Sequence, residues 1–391
     1  MYSIQTLNKI STKGLDRLPR DQYETATELA NPTGILVRSA KMHDMKLPES
    51  LLAIARAGAG TNNIPIDKCT DQGIVVFNTP GANANGVKEI VIAALLLSSR
   101  KIYQGINWAQ GLKGKGDEVP ALVEGGKKQF VGPEIQGKTL GVIGLGAIGV
   151  LAANAGAALG MKVMGYDPFI SVEAAWRLDQ SIQKATDLDA ILTQADYITL
   201  HLPMLPETKG MINKERLARV KDGVKILNFS RGGLVNNEDL LAGIDSGKVG
   251  GYVTDFPEEE LLGKEGIIPI PHLGASTPES EENCAVMACD QLREYLERGN
   301  IKNSVNFPPS ELPPSGKTRL LIANKNVPNM VGQITTTLAN AQINIDDLLN
   351  KHRGELAYNI IDVDDNIPMS VQEELSNIEG IISVRVIPAC Q

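Results

Sequence analysis

"GVIGLGAIGVLAANAGAALGMKVMGYDP", residues 141–168, sets three glycines at the spacing G-x-G-x-x-G between two apolar runs and closes on an aspartate. The spacing alone says little in a chain with 38 glycines, so the neighbouring residues decide its meaning. Residues 139–143 read as a short buried strand, 147–159 as an Ala/Leu-rich helix stopped by Gly160, and 162–166 as the next strand. That order is one βαβ unit. Within it Gly144 allows the tight turn, Gly146 lets the backbone approach a pyrophosphate at the helix N-terminus, and Gly149 lets helix and strand pack closely. Asp167 ends the second strand, where a carboxylate takes ribose hydroxyls and repels a 2′-phosphate. The unit reads as a site for NAD rather than NADP.

Composition sets the outer limits. A chain of 391 residues, 42% apolar and 21% charged, has the makeup of a globular protein of two or three domains. A net charge of −8 argues against nucleic acid as a main partner. No basic-then-apolar leader opens the sequence and no apolar run is long enough to span a bilayer, so the expected setting is cytoplasmic, without a membrane partner. Cys69, Cys284, Cys289 and Cys390 form neither a C-x-x-C pair nor a zinc spacing; they read as reduced structural thiols, with no metal site.

The organisation follows from changes of rhythm. Strand-like runs at 34–40, 51–60 and 73–80 form an early α/β unit, and from 139 the nucleotide unit repeats the alternation through 197–203, 224–230, 251–256 and 267–272. Such alternation implies parallel sheets covered by helices on both faces. Two long helical segments, 85–101 and 277–298, flank the second unit, so the first lobe is discontinuous: 1–84 with 283–306, around a Rossmann-like lobe of 85–282. "NFPPSELPPSGK", 306–317, carries four prolines, and residues 307–317 read as an extended linker. After it, 318–391 reads β-α-β-β-α-β, the ferredoxin-like order.

Ligands of open α/β sheets bind at the C-terminal ends of strands. Arg231 follows "ILNFS", the acidic run Glu258, Glu259, Glu260 follows "YVTDF", and His272 follows "IIPIP". An arginine fork grips a carboxylate or carbonyl oxygen, a histidine passes a proton near neutral pH, and a carboxylate can orient its ring. Of the four histidines, His43 and His352 lie in polar stretches and His201 at a strand, in a structural or cofactor-side role; His272 is the proton-transfer candidate.

Together "GLGAIG", "NFSRGG" and "PHLGAST" resemble the D-isomer-specific 2-hydroxyacid dehydrogenases over residues 34–306. "ILVRSA", "IARAGAGTNNI" and "VVFNTPGANANGVKE" are most similar to the branch acting on phosphoglycerate, and 318–391 resembles an ACT domain. The resemblance implies a Rossmann lobe and a flavodoxin-like substrate lobe. It further implies oxidation of 3-phospho-D-glycerate to 3-phosphooxypyruvate with NAD, the first committed step of L-serine synthesis. A hydroxypyruvate or glyoxylate reductase would share the catalytic set, and a non-catalytic NAD-sensing protein would not need it. Reduction of 2-oxoglutarate is a side reaction the same site could support.

Carried over residue by residue, the resemblance gives Arg231 the substrate carboxylate and keto oxygen and makes His272 the base. Ala147, Ile148, Asp167, Phe229, Ser230, Arg231, Asp255, His272, Leu273, Gly274 and Ala275 become cofactor contacts beside Gly144, Gly146 and Gly149. Arg38, Ser39, Ala59, Gly60 and Asn83 match substrate positions, with Lys41, Lys88, Lys127 and Lys128 as looser cation candidates. "TDFPEEE" is one residue short of the family pattern, so Glu259, or by the other count Glu260, partners His272. Asn326 and Asn344 match effector positions for L-serine at an interface between tails in a homo-oligomer, although Asn324 stands where serine-inhibited relatives have histidine.

Overall fold

The computed structural model describes residues 1–389, so Cys390 lies outside the described residues. Two compact units form, one from residues 1–82 with those from 281 onward, the other from 83–280. The chain crosses between them at 82/83 and 280/281, rather than at 84/85 and 282/283.

The first unit contains β1 (Tyr2–Thr6), β2 (Tyr23–Ala26), β3 (Gly34–Val37), β4 (Ala53–Arg56) and β5 (Val75–Phe77). They pair in parallel in the order β2-β1-β3-β4-β5, the flavodoxin-like order. Alternate side chains face opposite layers. Ile4, Leu36, Ala55 and Phe77 pack against Ala285, Ala288, Leu292 and Leu296 of the helix Pro278–Arg298, while Ile35, Val37, Ile54 and Val76 meet Met42, Leu51 and Ile64. Coverage of both faces is why "GILV" is buried at every position.

The second unit contains β6 (Thr139–Ile143), β7 (Lys162–Tyr166), β8 (Gln183–Lys184), β9 (Tyr197–Leu200), β10 (Val224–Asn228), β11 (Val249–Thr254) and β12 (Ile267–Pro269). Their order is β12-β11-β10-β9-β6-β7-β8, all parallel. The order reverses between β6 and β9, which places the Rossmann crevice at the end of β6. Val87, Val91 and Leu95 of the helix Ala84–Arg100 join Val142, Val163, Leu227 and Val253 in one core layer.

The tail contains β13 (Thr318–Lys325), β14 (Ile345–Arg353), β15 (Leu356–Val363) and β16 (Ile381–Ile387), antiparallel in the order β14-β15-β13-β16, with helices Met330–Asn340 and Met369–Ser376. This is the βαββαβ order read from the sequence. One sheet face, with Leu320, Ile322, Ile361 and Val363, packs on Ile334, Leu338, Val371 and Leu375 of its own helices. The other face is not open to water. Leu321, Ala323, Tyr358 and Ile360 share a core with Tyr295, Leu296, Ile301 and Phe307. The tail is thus part of the first compact unit.

Residues 307–317 behave accordingly. Phe307, Ser310 and Leu312 are buried, and Ile301 and Ser310 exchange both backbone hydrogen bonds at 2.8 and 3.0 Å. Arg319 closes the junction: it donates to both oxygens of Asp362 at 2.7 and 2.9 Å, to the carbonyls of Arg298 and Leu312 at 2.9 and 3.1 Å, and to that of Pro313 at 2.7 Å. The prolines mark an extended linker, and the residues between them anchor it to the first unit.

Candidate active site

The glycine loop is built as its spacing requires. Gly144 has φ +92°, in the left-handed region that favours glycine, and a side chain there would strike the His201 carbonyl. A side chain on Gly149 would strike the Gly144 carbonyl. Gly146 differs: a Cβ built on it meets no heavy atom within 4 Å, so its backbone faces open space. It is also the N-cap of the helix Ala147–Ala158 without a side-chain cap, which leaves the first-turn N–H groups free for an anion. Ala147 and Ile148 lie in that turn. Asp167 ends the neighbouring β7 and accepts from the backbone N–H of Leu145 and of Phe169, both at 2.8 Å. Its carboxylate therefore holds the glycine loop as well as facing the crevice end. These residues fit a bound dinucleotide.

Beneath the loop His201 is half-buried, with its Nδ1 shut away from solvent. Its Nε2 lies 3.0 Å from the Thr199 hydroxyl, its Nδ1 has no partner, and burial pushes its pKa down to about 4. A ring held neutral in this way fills space and cannot serve as a base near pH 7.

The ends of β10, β11 and β12 carry the other expected residues. Buried Asn228 accepts from the Ser230 N–H at 3.2 Å and donates to the Arg231 carbonyl at 2.8 Å, while the Ser230 hydroxyl donates to the Leu200 carbonyl at 2.5 Å. Phe229 is buried in the layer with Leu227 and Val253. This turn fixes the backbone from which Arg231 projects. The Arg231 Nη1 donates to the Ser230 carbonyl at 2.6 Å.

Asp255, only 2% exposed, accepts from the Leu273 and Gly274 N–H groups at 2.7 and 2.8 Å. That clamp sets the turn that presents His272, and Ala275 follows it. His272 has φ +52°, unusual for a side chain with a Cβ, and its N–H donates to the Ile270 carbonyl at 3.0 Å. Its exposed ring packs on Phe256, centroids 4.9 Å apart.

The acidic run departs from expectation. Glu259 and Glu260 lie in the 3-10 turn Glu259–Leu261, exposed, and neither hydrogen-bonds His272. Glu258 is exposed as well but lies beside the Arg231–Gly232 turn: a Cβ on Gly232 would meet its Oε1 at 3.5 Å and the Phe256 Cβ at 3.3 Å. Burial raises the Tyr252 phenol pKa, and the Glu258 charge adds to it. Phe256 thus touches His272 on one side and borders the Arg231–Gly232 turn beside Glu258 on the other.

In the first unit Arg38 and Ser39 follow β3, their N–H groups both donating to Asn8 Oδ1, and Arg38 forms an ion pair with Glu281. Ala59 and Gly60 follow β4. Arg56, which the sequence reading passed over, joins them: its Nε donates to the Arg38 carbonyl at 3.1 Å, and its guanidinium lies against Gly58 and Gly60. The register Val37–Arg56 explains the meeting, since adjacent parallel strands end side by side. Asn83 belongs to the other unit, as N-cap of the helix Ala84–Arg100. The looser cations are partly spoken for, with Lys88 on Asn85 and Lys127 on Glu124.

Asn326 and Asn344 are not brought together within one tail. Asn326 follows the end of β13 and donates to the Gly354 carbonyl at 3.2 Å; Asn344 precedes β14, at the opposite end of the sheet, and donates to Asp364 at 2.8 Å. The length of β13 separates them, about 25 Å at a strand rise of about 3.3 Å per residue. Asn324 is buried and bonded to Asn359 at 2.7 Å, within an amide ladder that continues to Asn350.

Among the described residues no group of three His, Cys, Asp or Glu side chains could hold a metal, and no helix is long and apolar enough to cross a membrane.

Comparison with known proteins agrees with this geometry. Residues 92–280 match the family described as D-isomer specific 2-hydroxyacid dehydrogenase, NAD binding domain. The chain is 38% identical over 283 residues to D-3-phosphoglycerate dehydrogenase of Synechocystis, covering 70% of this chain and 49% of the relative. It is 34% identical over 317 residues to the protein of that name from Methanocaldococcus jannaschii, covering 79% and 57%. The chain thus spans about half the length of the curated relatives it matches. Among solved structures, the NAD+-bound 3-phosphoglycerate dehydrogenase of Entamoeba histolytica superposes with a TM-score of 0.60 at 27% identity, covering 78% of this chain and 98% of that one. Crevice, glycine loop and family match coincide on residues 92–280, which are similar throughout to the NAD binding domain of the D-isomer specific 2-hydroxyacid dehydrogenases.

Proposed function

We propose that this chain is an NAD-dependent D-2-hydroxyacid dehydrogenase that oxidises 3-phospho-D-glycerate to 3-phosphooxypyruvate. The observation that carries the reading is the buried Asp255 clamp, which holds His272 in a strained turn on the same sheet edge as Arg231 and the glycine loop. Structural turns rarely spend a buried carboxylate and a positive φ on an exposed histidine. Bound NAD supplies the hydride acceptor. His272 takes the hydroxyl proton at a ring nitrogen while Arg231 holds the carboxylate and the oxygen that becomes the keto group. Arg38 and Arg56, at adjacent strand ends, are the cations suited to a phosphate in a chain of net charge −8. Glu258 joins Glu259 and Glu260 as a candidate to set the pH response of the site.

The tail reads as an ACT-like regulatory domain. With Asn326 and Asn344 at opposite ends of its sheet, a ligand such as L-serine that touches both must sit between tails of two copies, which supports a homo-oligomer. Serine inhibition is favoured less by Asn324, whose amide is used inside the sheet.

The test is NAD reduction with 3-phosphoglycerate, glycerate, lactate and 2-hydroxyglutarate, in wild type and His272→Ala. Preference for the phosphorylated acid with loss in the variant supports the reading. Preference for an unphosphorylated acid makes the protein a reductase of hydroxypyruvate or glyoxylate type, and indifference to His272→Ala removes the catalytic assignment.

A further inference from the structure

A cavity of about 670 Å³ in the first unit lies along one face of the helix Pro278–Arg298, and neither Arg38 nor Arg56 lines it. Its floor is apolar, with Val286 and Met287 one turn inside the helix face, and its far wall is the ribbon formed by residues 300–303 and Glu311. Paired backbone hydrogen bonds between Ile301 and Ser310 place Asn300 opposite Glu311, with Lys302 one pleat further along. The charges in this wall divide into two kinds. Asp290 is held by Arg17 and Glu294 by Arg298 and Asn300. Lys302 and Glu311 line the cavity and have no ion-pair or hydrogen-bond partner among the described residues. Between them, Gln291 is 7% exposed and donates to the Asn78 carbonyl at 3.0 Å, while its Oε1 has no partner in the protein. A buried amide oxygen left unpaired costs free energy that a donor from a ligand would recover.

One ammonium, one carboxylate and an unpaired acceptor around an apolar floor are complementary to a small zwitterion with an aliphatic body. We propose that this cavity binds a free aliphatic α-amino acid, its carboxylate on Lys302, its ammonium on Glu311 and its side chain over Val286 and Met287. Its lining includes none of Arg38, Arg56, Asn326 and Asn344. It also abuts the ribbon that Arg319 ties to the tail, so occupancy stiffens the junction between tail and lobe.

Titration calorimetry on the full chain with L-leucine tests it. Binding with a dissociation constant of millimolar order or tighter is expected, weakened about ten-fold or more for 4-methylpentanoate and 3-methylbutylamine, which each lack one charge. Lys302→Met and Glu311→Gln should abolish binding, Met287→Trp should block it by filling the floor, and Lys302→Arg and Asn344→Ala should retain it. Absence of leucine binding to the wild-type chain overturns the proposal. So does binding that survives both charge variants, or that is lost in Asn344→Ala, since either places the ligand elsewhere.

Discussion

Asp255 accepts the backbone N–H groups of Leu273 and Gly274 at 2.7 and 2.8 Å, so a buried carboxylate fixes the backbone turn that carries His272. Asp255→Ala leaves the buried Gly274 N–H unpaired, at a cost of about 1–3 kcal/mol, releases that of Leu273, and frees the turn. The expected result is a fall in kcat of roughly 100-fold, the scale of losing a positioned base, with a lower midpoint in urea. Unchanged kcat beside lower stability would make the clamp merely structural.

The acidic run can be ranked by pH–rate profile. The Glu258 carboxylate lies beside the Arg231–Gly232 turn, a contact that Glu259 and Glu260 do not make, so Glu258→Gln should move the profile more than either neighbour. If Glu259→Gln moves it most, substrate binding reorders the 3-10 turn, and the family count from Phe256 holds.

Arg38 is engaged by Glu281, both side chains about half exposed. Such pairs are worth about 1 kcal/mol at most, so a phosphate dianion can displace the carboxylate. Glu281→Gln should lower KM for 3-phosphoglycerate by up to about five-fold and leave KM for glycerate unchanged, measured at low ionic strength.

His201 gives a stability signature. Its pKa falls from 6.5 unfolded to about 4 folded, so the unfolded chain binds the extra proton between those values. Stability is complete above pH 6.5 and is lost as pH falls toward 4, by about 3 kcal/mol at the limit. His201→Gln should flatten that window in a series of denaturant titrations.

Arg319→Met should be far more damaging than its surface-like charge suggests. Breaking a buried pair by removing one partner costs about 3–5 kcal/mol, here leaving Asp362 unbalanced. Burial raises the Asp362 carboxyl pKa, but the hydrogen bonds from Arg319 and Ser315 and the charges of Arg319 and Lys317 together outweigh that and hold it below the usual range. The double variant Arg319→Met, Asp362→Leu should recover much of the loss in thermal melts.

The second unit was legible because glycine requirements and continuous apolar runs are local properties. "GLGAIG" dictates its own turn, and β6, β7 and β15 fall at the residues expected of them. Arg56 and Glu258 were not legible, because their roles come from strand register and from which way one short turn faces. The stretch 307–317 misled for the same reason: proline content is visible in sequence, whereas burial of Phe307 and Leu312 depends on a helix and a sheet that arrive from elsewhere.

The merging of tail and first lobe into one core also orders the birth of the molecule. While the chain is being synthesised, residues 83–280 are complete as a compact unit before Ala285, Leu292, Tyr358 and Ile360 leave the ribosome. Strands β1 to β5 emerge first, yet the helix Pro278–Arg298 that covers one of their faces follows only after the whole second unit, so that apolar face waits exposed through most of translation. The N-terminal lobe therefore completes its core only after residues 83–280 have been made.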